Sequence, residues 1–299
     1  MTNAVAFAIQ ECALNNVLYP GMRGQTATRG RKIQSEGLAG TVHETFHTVA
    51  QQEAMEELQS LALKSLLGAL TSSTDLPLLL LDGTNGMVMY GAKGAQASPG
   101  FASGSVHYAR TALYGAIWIS AIRWSVGNSV EVDLRAMFYD GAGSGATDPL
   151  AITSVALPTQ VIPVEQFALS ALTLNGAAVD SVTSLEITFD PKLEYRFSQG
   201  NPFPTLIVGA GTKGAMECRL TATVTDLSLA EGTGSVTVTF SQYAAASPTF
   251  AAHTVAFTFN APWTLENQLS GRSGDAQTRE LVVRPRLSGS TKPVTWATT

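Results

Sequence analysis

The chain has 299 residues, of which 45% are hydrophobic and only 14% charged, with 18 basic against 23 acidic residues and a formal net charge of −5 at pH 7. That balance argues against a nucleic-acid-binding face built on Lys and Arg, and the charge content lies well below the ~25% of an average soluble domain. The length is ample for a large core, and the abundance of Ala, Thr, Ser and Gly implies a weakly polar surface, as suits a protein largely covered by neighbours.

Cys12 and Cys218 stand far apart and outside any metal-ligand spacing, so both read as small buried or incidental thiols. Met1–Gln10 lacks the basic start of a secretory leader, and the longest apolar run, Leu76–Leu81, is too short to cross a bilayer. A protein made in a cytoplasm, with no membrane partner, is expected.

Residues 1–47 read as an N-terminal arm and extended segment, carrying Tyr19-Pro20-Gly21 and the basic Arg29-Gly30-Arg31-Lys32. Residues 48–70 read as an amphipathic helix. Thr48 and Gln51 have the spacing of a capping box, and Met55, Leu58, Ala62, Leu66 and Leu70 form one stripe at helical spacing. Glu53, Glu56 and Glu57 fall in the first half, where the helix dipole favours acids.

Residues 71–277 read as strands and turns. Val130, Val132, Leu134, Ala136 and Phe138 alternate with Glu131, Asp133, Arg135 and Met137. The same period of two runs through Leu185, Ile187 and Phe189, through Val236, Val238 and Phe240, and through Val255, Phe257 and Phe259. Asp82-Gly83, Asn85-Gly86, Asp140-Gly141, Asn175-Gly176, Gly200-Asn201-Pro202 and Glu231–Gly234 mark turns. Residues 278–299 read as an extended C-terminal arm, in which Leu281-Val282-Val283 has strand character. The expected fold is mainly β: an antiparallel β-sandwich or barrel with one packed amphipathic α-helix and extended terminal arms.

One motif has the look of catalysis. His43-Glu44-Thr45-Phe46-His47 matches the H-E-x-x-H pattern in which two histidines one helical turn apart hold zinc and the glutamate activates water. The capping signal at Thr48 places the segment before the helix, and in an extended chain His43 and His47 stand about 13 Å apart, too far to share one ion. A helix beginning near Leu38 would restore the motif and make the chain a zinc metallopeptidase. His107 and His253 read as single structural histidines, and Asp82 and Asp140 as turn residues. No cofactor and no catalytic residue is called for.

The stretch Leu113–Asp140 (LYGAIWISAIRWSVGNSVEVDLRAMFYD) resembles a segment of the tail tube (major tail) proteins of long-tailed, siphovirus-like phages, where a strand enters a small-residue turn and an alternating polar strand returns. Leu172–Gly176, Val182–Phe189 and Tyr195–Gly209 resemble the same family's Asn-Gly turn, strand and Pro-containing lead into the next strand. Together these blocks lie within residues 113–217.

The resemblance implies a virion structural protein that closes into rings, hexameric in the family, stacked as a hollow tube around DNA in transit. It implies assembly in the host cytoplasm, residence in the virion tail, and tape measure, terminator and distal tail proteins as partners. Glu131, Asp133 and Arg135, with Thr237 and Thr239, are the candidates for a polar lumen wall or a solvated outer face. A receptor- or carbohydrate-binding tail appendage is the alternative structural expectation.

Overall fold

The computed structural model describes residues 7–14, 17–19, 22–28, 31–36, 46–70, 76–93, 102–159, 165–198, 201–209, 217–224, 234–244, 249–261, 263–270, 278–286 and 292–299. Strands β1 (Phe7–Leu14), β2 (Val17–Tyr19), β3 (Met22–Thr28), β4 (Arg31–Glu36), β5 (Phe46–Gln52) and β6 (Ala54–Ser60) precede a short helix, α1 (Leu63–Ala69). Then follow β7 (Leu78–Lys93), β8 (His107–Ser125), β9 (Glu131–Phe138), β10 (Ala151–Val155), β11 (Phe167–Leu174), β12 (Ala177–Ala178) and β13 (Val182–Asp190). The chain continues through β14 (Leu193–Phe197), β15 (Pro204–Gly209), β16 (Glu217–Val224), β17 (Val236–Tyr243), β18 (Phe250–Phe259), β19 (Trp263–Ser270), β20 (Thr278–Pro285) and β21 (Val294–Thr298). The fold is mainly β, antiparallel at every ladder, with one helix among the described residues.

Strand β8 organises the molecule. Its 19 residues span about 60 Å and carry different partners along their length. One edge pairs with β7 from Tyr108 to Trp118 and then with β13 from Ala121 to Ser125. The other edge pairs with β10 over His107–Thr111 and with β9 over Gly115–Arg123. A register shift between Ile119 and Ala121 sets Ser120 apart, so that Ile117 and Ile119 on one side of it and Ile122 on the other are all buried.

Around the first half of β8 the large sheet curls. The order β3-β6-β9-β8-β7-β1 brings β1 back beside β3, with no ladder between them among the described residues, so the sheet nearly closes into a small barrel. Around the second half, β13, β16, β20 and β19 continue the large sheet, and the five-stranded sheet β12-β11-β17-β18-β21 packs across it. Phe189 on β13 and Phe257 on β18 meet with ring centroids 6.2 Å apart, which places the sandwich core between these two sheets. Phe240, Phe257 and Phe259 are fully buried there, each contributing roughly 1.5–3 kcal/mol by leaving water.

The helix expected over residues 48–70 forms only at its end. Thr48 and Gln51 lie in β5, paired with Gln34 and Lys32, and Ala54–Ser60 is a strand between β3 and β9. The reason lies in the faces: Ala54, Glu56, Leu58 and Ser60 are buried while Met55, Glu57 and Gln59 are less so. Met55 and Leu58, three apart and suggestive of a helix, therefore lie on opposite faces. A buried glutamate had disguised the period of two. What remains helical is α1, whose Leu63, Leu66 and Leu67 are buried. Its first turn is capped by the Glu165 carboxylate, which accepts from the Lys64 N–H at 3.0 Å and the Ser65 N–H at 3.2 Å, with the Ser65 hydroxyl donating to it as well.

The terminal segments expected as arms are extended but paired within the chain. β1 lies between β7 and β2, β20 lies between β16 and β19, and β21 adds to β18. Asp82-Gly83 and Asn85-Gly86, expected to separate strands, form an irregularity inside β7 between Asp82 and Met87, where Tyr114 lies over Gly83. Asn175 and Gly176, both at positive φ (54° and 80°), close the two-residue hairpin from β11 to β12 as their sequence demands.

Candidate functional site

The large sheet presents a charged outer face. Glu131 and Asp133 are partly exposed and Arg135 is exposed, while Val132, Leu134 and Ala136 between them are buried. Arg123 on β8 reaches two of the acids on this face: its Nη1 contacts Asp133 Oδ2, and its Nε stands 2.6 Å from Glu186 Oε1 on β13. Gln59 Nε2 donates to the second Asp133 oxygen at 3.2 Å, and Arg135 Nε stands 3.0 Å from Glu57 Oε1 on β6. The alternation seen in β9 thus becomes a ladder of ion pairs across β6, β9, β8 and β13. Exposed pairs of this kind stabilise little, so the ladder sets register and surface charge more than stability.

Thr237 and Thr239 lie elsewhere. They belong to β17, between the buried Val236, Val238 and Phe240, on the face of the five-stranded sheet turned away from the core. Cross-strand register builds two rows there: Thr173, Thr237, Thr258 and Thr295, and beside it Ala171, Thr239, Ala256 and Ala297. Neither row carries a charge. Because the two sheets meet through their inner faces, the ion-pair face and the threonine face look in opposite directions. The five candidate residues therefore form two surfaces.

A third feature escaped the sequence reading. Strand β10 pairs with β8 alone among the described residues, and Ala151, Ile152, Thr153 and Ser154 are all exposed, Ile152 at 67%. The strand has no charge and no proline, the devices by which edges are usually guarded. The signal was present as Ala-Ile-Thr-Ser-Val, an uncharged β-branched run between Pro149 and Pro158.

The zinc motif splits at the limit of what is described. Phe46 and His47 are residues of β5, with His47 opposite Ser35, so the helical turn that zinc binding needs is not formed at His47; His43, Glu44 and Thr45 lie outside the described residues. No group of three or more His, Cys, Asp or Glu side chains able to hold a metal occurs among the described residues. Glu56 on the adjacent strand is enclosed, with its Oε1 2.9 Å from Arg110 Nη1.

Cys12 is buried, and burial, followed by the Glu56 charge, pushes its thiol up to about 12, which keeps it protonated and unreactive. His107 is buried and its Nδ1 accepts the Lys93 N–H at 3.0 Å, a structural role. Asp140 is a turn residue as expected. Burial opposes its ionisation but is outweighed by the Ser144 hydroxyl and the N–H groups of Ala142, Thr147 and Gly145, which hold its carboxyl below the usual range. No helix among the described residues is long and apolar enough to cross a membrane.

Compared with known proteins, the chain matches no protein-family model and no curated protein sequence.

Proposed function

We propose that the chain is a virion structural protein, a self-assembling tail tube subunit whose copies close into rings and stack around a path for DNA. The observation that carries this reading is β10, an uncharged strand paired on one edge only among the described residues and exposed on both faces. An edge of this kind is a template for another chain, and closure into a ring pairs every such edge. The resemblance of residues within 113–217 to tail tube proteins supplies the form of the assembly, and among the described residues β10 is the partner of β8 that has no second ladder.

Of the two candidate walls, the threonine face fits the DNA path. Its rows offer hydroxyls and methyls and no cation, so phosphates would pass without a counter-charge to hold them. The ion-pair face carries arginines and suits contacts between protein copies.

Negative-stain electron microscopy over a concentration series tests the reading. Rings or hollow tubes of uniform diameter are expected from the natural chain. Ile152→Lys combined with Ser154→Lys, which guards the edge with charge, should leave folded monomers. A natural chain that stays monomeric at the highest concentration rejects the proposal.

A further inference from the structure

Arg219 on β16 faces outward beside Thr188 of β13 and lines a hollow of about 310 Å³ on the ion-pair face, together with Trp118, Ser120, Arg123, Arg135 and Asp190. Its Nε is shielded from solvent and has no hydrogen-bond partner among the described residues. Among the described side chains, Asp133 and Glu186 are paired with Arg123, Glu57 with Arg135, and Asp190 with the Lys192 ammonium at 2.6 Å. A guanidinium partly withdrawn from water is unfavourable unless an anion joins it, and its planar fork suits a carboxylate.

We infer that this hollow is a docking site for an acidic side chain of a second copy of the chain. The inference rests on the reading of the protein as a self-assembling subunit, and it assigns one contact of that assembly. The choice of occupant follows from charge. The chain carries 23 acids against 18 bases, so a second copy brings carboxylates in excess to a face on which Asp133, Glu186, Glu57 and Asp190 are already paired. The hollow shares Trp118, Arg135 and Asp190 with a neighbouring cleft of about 840 Å³ lined by β14, so an incoming segment has room beside its anchoring carboxylate.

The test measures the concentration at which assembly begins, by sedimentation and microscopy, for the natural chain, Arg219→Glu, Arg219→Gln and Arg219→Lys. Loss of a desolvated charge pair should raise the threshold by about tenfold or more in Arg219→Gln. The rise should be greater in Arg219→Glu and smaller in Arg219→Lys, with inorganic phosphate raising the threshold of the natural chain by competition. Should Arg219→Glu fail to fold, Arg219→Gln, which keeps much of the stem and removes the charge, decides the matter. Equal thresholds in Arg219→Gln and the natural chain overturn the inference while leaving the self-assembly reading intact. Phosphate binding that Arg219→Gln abolishes without moving the threshold overturns it too, marking the hollow as a site for small anions. A natural chain that never assembles removes both.

Discussion

The two ends of β8 support interiors of different character. Around its first half the barrel encloses Cys12, Leu58, Met87, Met89 and Ala112 together with a charge pair, Glu56 and Arg110. Around its second half the sandwich encloses Phe189, Phe240, Phe257, Phe259 and a layer of Val, Leu and Ile, with aromatic centroids 6.2 and 6.3 Å apart. The sandwich core is built from alternation: Leu185, Ile187 and Phe189 of β13, Val236, Val238 and Phe240 of β17, and Val255, Phe257 and Phe259 of β18 are buried at every second position. The barrel breaks that rule by turning Glu56 inward and answering it from β8, a strand two ladders away in the sheet. One half can be read strand by strand, and the other only once its strands have met.

The largest effects are expected where each interior is most dependent on one side chain. Arg110→Ala should destabilise by roughly 3–5 kcal/mol, because it breaks a buried ion pair by removing one partner. The double change Glu56→Leu with Arg110→Met should recover most of that loss. Urea unfolding of the three variants checks it, and a double variant as weak as Arg110→Ala would mean that the pair is not what Arg110 supports. Phe257→Ala should cost a similar ~3–5 kcal/mol in the sandwich, since Phe257 is fully buried against Phe189, Phe240 and Trp296. Hydrogen exchange on that variant should show faster opening in β17 and β18 than in β7 and β9, which measures how far the shared β8 couples the halves.

Glu165→Ala should cost about 1 kcal/mol by leaving the first N–H groups of α1 without an acceptor, read as a lower midpoint in thermal unfolding. The effect of acid at Asp140 is smaller and local. Its carboxyl lies below the ordinary value of 3.8 in the folded chain, so it binds protons less readily folded than unfolded. Its contribution is complete above the unfolded pKa and is lost as pH falls through the folded one. The difference in melting temperature between the natural chain and Asp140→Ala should therefore be constant near neutrality and shrink below about pH 4. Arg135→Ala, which removes an exposed pair with Glu57, should change stability by less than about 1 kcal/mol.

Much of the β architecture was legible in the sequence because burial on one face of a sheet imposes a period of two that local residues obey on their own. Glu131, Asp133 and Arg135 face outward in β9 and Thr237 and Thr239 in β17 for that reason, and Asn175-Gly176 closes its hairpin because both residues tolerate positive φ. The same logic failed over 48–60, where Glu56 occupies a core position, and it left the terminal segments as extended arms because most of their pairing partners, from about 35 to 86 residues away, leave no local mark. Nor could it see that the five candidate residues divide between opposite surfaces. The capping of α1 by Glu165 and the Glu56–Arg110 pair were decided only by the tertiary structure. Each depends on a charge or donor meeting its counterpart across strands distant in sequence, and such meetings are set by strand order and register.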